Sequence, residues 1–342
     1  MTNSDAAPTP EHWLGQEGIR WNIMLVASLA HVPDLEELAV NLAALSREQG
    51  WPEPPPDAVG EGAVASLLQQ YAAAPDSAHP LSVGRTPGGL VVRAHHAYVD
   101  GLGLLAALAH LTGRPVRSGA RGVGVRPHRG ALPTLAGRLV EVAVRPPAPV
   151  QGTGTTPGQD VFAAATVDRG VRTADLVYAG ARAVDRWNRG HGTRANRIAV
   201  AVGVSTTGGE VLEVGDHSGF LRLTGIERLD REQVDAALAI GPLQLGGTAS
   251  TGTARRARGL IRWASTTLAD RLGSTLLVSH LGRVEADGLT DAAFHPLSGA
   301  GSGVSLGAVT VGGRTTLTMR ARGEGHSTDD LEAILRAVVD VL

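Results

Sequence analysis

A histidine pair stands where two apolar runs of different period meet. Leu90-Val91-Val92 has the continuous apolar character of a buried strand, and residues 102–111 repeat Leu104, Leu105 and Leu108 at helical spacing. Between them lies His95-His96-Ala97-Tyr98-Val99-Asp100-Gly101. A strand that ends on His-His and enters a helix through Asp-Gly leaves the chain few local conformations. An imidazole between a strand end and a helix start can be held rigidly with its ring facing a channel. Near pH 7 a neutral imidazole can accept a proton from an attacking hydroxyl or amine. One of His95 and His96 is therefore the expected catalytic base, in a loop that Asp100 and Gly101 frame. Asp100 is expected to turn back onto an Arg. Gly101 is expected to let the backbone bend before the Leu102 helix, whose first amides are placed to help stabilise an oxyanion.

Composition removes several competing chemistries. All 31 basic residues are Arg, so Schiff-base catalysis by Lys is excluded, and the absence of Cys excludes thiolate nucleophiles, Cys-based zinc sites and disulfides. A net charge of −2 offers no reason to bind nucleic acid or a membrane surface. Residues 1–10 lack the pattern of a signal peptide, and no run approaches the length of a membrane span, so a soluble cytoplasmic protein is expected. His217, His280, His295 and His326 are scattered without ligand spacing, which argues against a metal site. The Gly-rich 299–303 segment precedes a strand and lacks the ending of a phosphate loop, and no Ser occupies a Gly-x-Ser-x-Gly elbow.

The length suits one large domain or two lobes, and the order of elements suits mixed sheets covered by helices, an α/β (α+β) class. The expected division is an N-terminal lobe at 1–113, an Arg/Pro/Gly-rich linker at 114–158 with one helix at 132–144, and a C-terminal lobe at 159–342. In the first lobe the patterns predict a strand over 19–30 and a helix over 35–45 with Leu35, Leu38, Leu42 and Leu45 on one face. A Pro-rich connector at 51–62, a helix at 63–74 and a hairpin over 79–93 follow. The second lobe is predicted to hold strands at 160–167, 198–204, 220–223 and 276–278. Helices are predicted at 173–188 with Thr173 as N-cap, 230–240 and 253–271, then a hairpin at 303–310 and 314–321 and a closing helix at 327–341.

The pattern His-His-x-x-x-Asp-Gly resembles the signature of the chloramphenicol acetyltransferase-like superfamily. That group includes nonribosomal peptide condensation domains, wax ester synthase/diacylglycerol acyltransferases and polyketide-associated acyltransferases. Asn22-Ile23-Met24 with Pro33-Asp34-Leu35-Glu36-Glu37-Leu38 is similar to the opening strand and helix of these proteins, and Arg197 to Ser205 to a central strand of their second lobe. Val278-Ser279-His280-Leu281-Gly282 resembles their Ser-Asn-Leu-Gly segment, with His280 in place of Asn. The resemblance implies a V of two lobes with a central tunnel, His96 as base and Asp100 as a structural residue paired with Arg. It implies an acyl thioester as donor, on coenzyme A or a phosphopantetheinyl carrier protein, a hydroxyl or amine acceptor, and no permanent cofactor. A natural-product biosynthetic setting and a monomer are expected.

Ser279, His280, Ser302 and Ser305 are the candidates to line the tunnel, and Arg255, Arg256 and Arg258 to meet phosphates or an acidic carrier. Where the family's strand ends in Ser-x-Arg, this chain has Ser205-Thr206-Thr207, which leaves Arg20, Arg93, Arg320 and Arg322 as possible partners for Asp100. The short first lobe also admits a cyclisation or dehydration without net acyl transfer, and a separate alternative is a non-catalytic partner that docks a carrier protein at the tunnel mouth.

Overall fold

Near-continuous apolar runs in the first lobe build β1 (Asn22–Leu29), β3 (Leu81–Thr86) and β4 (Gly89–His95), and helical spacing builds α1 (Leu35–Glu48), α2 (Val64–Ala72) and α3 (Gly101–Thr112). A computed structural model of the chain describes residues 21–75, 78–123, 146–193, 195–209, 212–245, 274–297 and 303–342. Asp34 starts α1 by accepting the Glu37 N–H at 2.8 Å. Leu38, Leu42 and Leu45 are buried as the pattern predicts, whereas Leu35 in the first turn stays 40% exposed. The Pro-rich connector at 51–62 contains more order than expected. A short strand, β2 (Val59–Glu61), pairs parallel with β3 there, because Val59 faces Val83 across the ladder.

The second half builds the larger sheet. Its strands are β6 (Asp160–Val167), β7 (Ala199–Ser205), β8 (Ser218–Thr224), β9 (Leu243–Leu245), β10 (Leu276–Ala286), β12 (Val304–Val311) and β13 (Arg314–Arg322), in the order β6-β13-β12-β10-β7-β8-β9. The helices α4 (Thr173–Gly190) and α6 (Thr328–Val341) cover it, burying Leu176, Val177, Val184, Ile334 and Val338. A further helix, α5 (Arg231–Ile240), packs beside α4, which makes six α-helices among the described residues. The N-cap of α4 is Arg172 rather than Thr173. The Thr173 hydroxyl meets His280 Nδ1 at 3.1 Å instead of capping the helix. The predicted helices at 132–144 and 253–271 lie outside the described residues.

Two crossings join the sheets. The predicted short strand at 276–278 runs on to Ala286 and turns at Gly288 into β11 (Leu289–His295), which leaves the large sheet and pairs with β1. The smaller sheet therefore has the order β11-β1-β4-β3-β2. In the other direction β5 (Val116–Ser118), from the stretch read as linker, pairs with β10. Charged residues such as Arg283, Glu285 and Asp291 hid these strands from periodicity.

The joint between the sheets centres on Arg320 of β13, which is wholly buried. Its Nε donates to Asp160 Oδ2 at 2.7 Å, and its Nη1 donates to the Asn22 carbonyl at 2.6 Å and the Pro296 carbonyl at 3.0 Å. Beside it, His295 packs edge-on against Phe162, with ring centroids 5.3 Å apart. Burial, reinforced by the Arg320 charge, lowers the His295 pKa to about 3, and burial alone lowers His280 to about 4. Both imidazoles are thus neutral in the folded protein. Below pH 6.5 the unfolded chain takes up their protons while the folded one does not, so stability is lost as pH falls from there toward 4. The expected slope is about 1.4 kcal/mol per pH unit for each histidine. Urea melts at stepped pH check it, and His295→Leu should flatten the curve.

Candidate functional site

β4 delivers the histidine pair to the edge of this joint. His95 is fully buried; its Nδ1 accepts the Ala97 N–H at 3.3 Å and its ring meets Tyr98 edge-on. The His95 carbonyl accepts the N–H groups of Tyr98 and Val99 at 2.9 and 3.2 Å. This turn reverses the chain and directs His96 outward. The His96 N–H donates to the Trp21 carbonyl at 2.6 Å, and its side chain keeps 15% exposure. His96 Nδ1 lies 4.0 Å from Asp216 Oδ1, which belongs to the loop before β8 on the other sheet. That distance is too long for a hydrogen bond but well within coulombic range. Asp216 Oδ1 is itself held by the Ser218 N–H at 3.1 Å and the Ser218 hydroxyl at 2.5 Å.

Asp100 is the N-cap of α3, with Oδ1 accepting the Gly103 N–H at 2.7 Å. Its Oδ2 accepts the His217 N–H at 2.9 Å, and its own N–H donates to the Gly215 carbonyl at 2.9 Å. The residue thus clasps the 215–217 loop of the second lobe. Burial raises the Asp100 pKa, opposed by the Gly103 and His217 amides and by His96. An Arg partner is not found among the described residues. Arg93 bonds Asn22 and the His79 carbonyl, Arg320 is spent on Asp160, and Arg20 lies outside the described residues. Two backbone amides do the work expected of a guanidinium. Since the Gly103 N–H is spent on the cap, it is not free for an oxyanion.

Gly101 is required for a reason other than the bend the sequence suggested, since its φ is not in the left-handed region. A Cβ there would lie 2.7 Å from Leu281 Cδ2 and 3.2 Å from Phe294 Cζ. The start of α3 is pressed against β10 and β11, and a side chain at this position would have to displace both of these buried side chains. Gly101→Ala is expected to destabilise by about 1–3 kcal/mol through overpacking, read as a lower urea midpoint at unchanged slope.

The His96 ring opens on a narrow crevice lined by Trp21, Asp216, Ser218, Phe220 and Leu297, with room for about one water molecule. Ser279 is half-buried and in register with Gly203 and Gly307. His280 turns to the helical side of its sheet, toward Thr173. Ser305 is wholly buried, its hydroxyl on the Arg320 carbonyl at 3.4 Å. Ser302, Arg255, Arg256 and Arg258 lie outside the described residues. Sequence reasoning missed Trp21, Asp216, Ser218 and Phe220. The run Gly215-Asp216-His217-Ser218-Gly219, polar and immediately before a strand, was the one available signal.

Among the described residues no His, Cys, Asp and Glu group forms a metal site, and no helix is long and apolar enough to cross a membrane. No protein-family model and no curated protein matches the sequence. Solved structures do match across nearly the whole chain. A structure of condensation domain-mediated chain release from the enacyloxin polyketide synthase is 14% identical with a TM-score of 0.54, over 99% of this chain and 82% of that one. The wax ester synthase/diacylglycerol acyltransferase from Marinobacter aquaeolei VT8 is 14% identical with a TM-score of 0.50, over 98% of each. A starter condensation domain of rhizomide synthetase, a double mutant in complex with C8-CoA and Leu-SNAC, is 13% identical with a TM-score of 0.54, over 97% and 91%. The chain has the mixed α/β fold of these condensation domains and of the wax ester synthase.

Proposed function

We propose that the protein is an acyltransferase or condensation enzyme that joins an acyl thioester to a hydroxyl or amine acceptor, with His96 as general base. The observation that carries this reading is the placement of His96. Its ring stands at a crevice between the two sheets and faces a carboxylate from the opposite lobe, while its backbone N–H is anchored on the Trp21 carbonyl. The fold shared with a wax ester synthase and with a condensation domain in complex with C8-CoA supports the same chemistry.

In the reaction, His96 takes the acceptor's proton as the oxygen or nitrogen attacks the thioester carbonyl. The tetrahedral intermediate then collapses, the C–S bond breaks, and the imidazolium returns the proton to the departing thiolate. Asp216, within coulombic range, favours the positive ring that forms between these two steps. Coenzyme A or a carrier's phosphopantetheine serves as co-substrate, and no bound cofactor takes part. Both sides of the crevice come from one chain, so a monomer suffices.

The test supplies acyl thioesters of several chain lengths with alcohol and amine acceptors, following thiol release and acylated product together. Acceptor-dependent release with matching product is expected. Thiol release without acylated acceptor, or no release from any donor, rejects the proposal.

A further inference from the structure

The electrostatics of the crevice point to the kind of acceptor it receives, an inference that rests on the acyl-transfer reading above. Its lining residues carry one permanent charge, the Asp216 carboxylate, on walls otherwise formed by Trp21, Phe220, Leu297, Ser218 and the His96 ring. Asp216 is 18% exposed, and among the described residues no guanidinium forms an ion pair with it; its partners are Ser218 and His96. The buried carboxylate of Asp100 lies close enough for the two acids to repel each other. Glu213 adds a third acid on the same loop, 3.9 Å from His217. Field lines from a carboxylate in a narrow, low-dielectric recess are focused rather than screened. A cation of about the volume of a water molecule complements such a recess, and a second anion is repelled by it.

We infer that the acceptor is a free primary amine on an apolar body, with no carboxylate beside the amine, and that Asp216 is the residue that selects it. The ammonium fills the recess against Asp216, and the hydrocarbon extends out of it past the apolar walls. Attack requires two protons to leave the nitrogen in all. The ammonium releases the first to solvent, leaving the neutral amine beside His96. As the C–N bond forms, His96 takes the second and then delivers it to the sulfur as the C–S bond breaks, giving the amide and a free thiol.

The experiment measures binding of hexylamine, hexanol and 2-aminohexanoate, which carries a carboxylate beside its amine, to the whole protein near pH 7 by calorimetry. Hexylamine is expected to bind about tenfold more tightly than hexanol, with 2-aminohexanoate weakest. Asp216→Asn, which keeps an oxygen for Ser218, should erase the difference between amine and alcohol, and an unchanged urea midpoint reports that the fold is intact. Equal binding of amine and alcohol, no binding of the amine, or a preference that survives Asp216→Asn overturns the inference. A parallel assay with an acyl thioester separates the two readings. Amine binding through Asp216 without transfer would sink the acyl-transfer reading alone, and transfer to hexanol without amine preference would sink this one alone.

Discussion

Replacement of His96 by Gln is expected to lower kcat/KM for acyl transfer by about 10²–10⁴-fold, the range a positioned general base contributes. The substitution keeps much of the side chain's volume and removes its basicity, so the crevice between Trp21 and Asp216 should survive. Because proton removal belongs to the transition state, the loss should fall on kcat more than on KM. His95→Gln acts differently. That ring is wholly buried and accepts from the Ala97 N–H, so its replacement should lower the urea midpoint and reduce activity through misplacement of His96. Steady-state kinetics on the two variants, each with its own melt, separates the roles. A His96→Gln enzyme with unchanged turnover would remove His96 from the mechanism.

The second large effect concerns stability. Arg320→Met should lower the free energy of unfolding by about 3–5 kcal/mol, since it leaves the Asp160 carboxylate buried without its guanidinium. The carbonyls of Asn22 and Pro296 also lose their donor, so the sheets should separate more readily along the β1, β11 and β13 joint. Arg320→Met combined with Asp160→Asn should cost less than Arg320→Met alone, because the uncompensated charge is gone. Denaturant titrations of the two variants check this. Equal stability of Arg320→Met and the native chain would mean that the ion pair merely offsets its own desolvation.

Local chemistry was legible in the sequence wherever a residue's role depends on near neighbours. The strand-to-helix junction at His95–Gly101 emerged where the apolar periods change, the Asp34 cap followed from Pro33-Asp34, and the hairpins at 79–93 and 303–321 followed from their turn residues. The resemblance of the motif also led to the fold found among solved structures. What failed shares one physical cause. β10 and β11 carry charged residues because their edges and crossing are shaped by contacts with the other sheet, and β5 is a strand only because Val284 to Ala286 lie beside it.

The same division holds within the site. Sequence alone determined that His96 follows a strand and that Asp100 precedes a helix, since strand and helix periods are local properties of the chain. Only the tertiary structure decided what faces them. Asp216 meets His96, and the Gly215–His217 backbone replaces an arginine at Asp100, across separations of 120 and 117 residues that no spacing rule spans. Gly101 illustrates the same point. Its backbone angles would suit other residues, and what demands glycine is the approach of Leu281 and Phe294 from two strands distant in sequence.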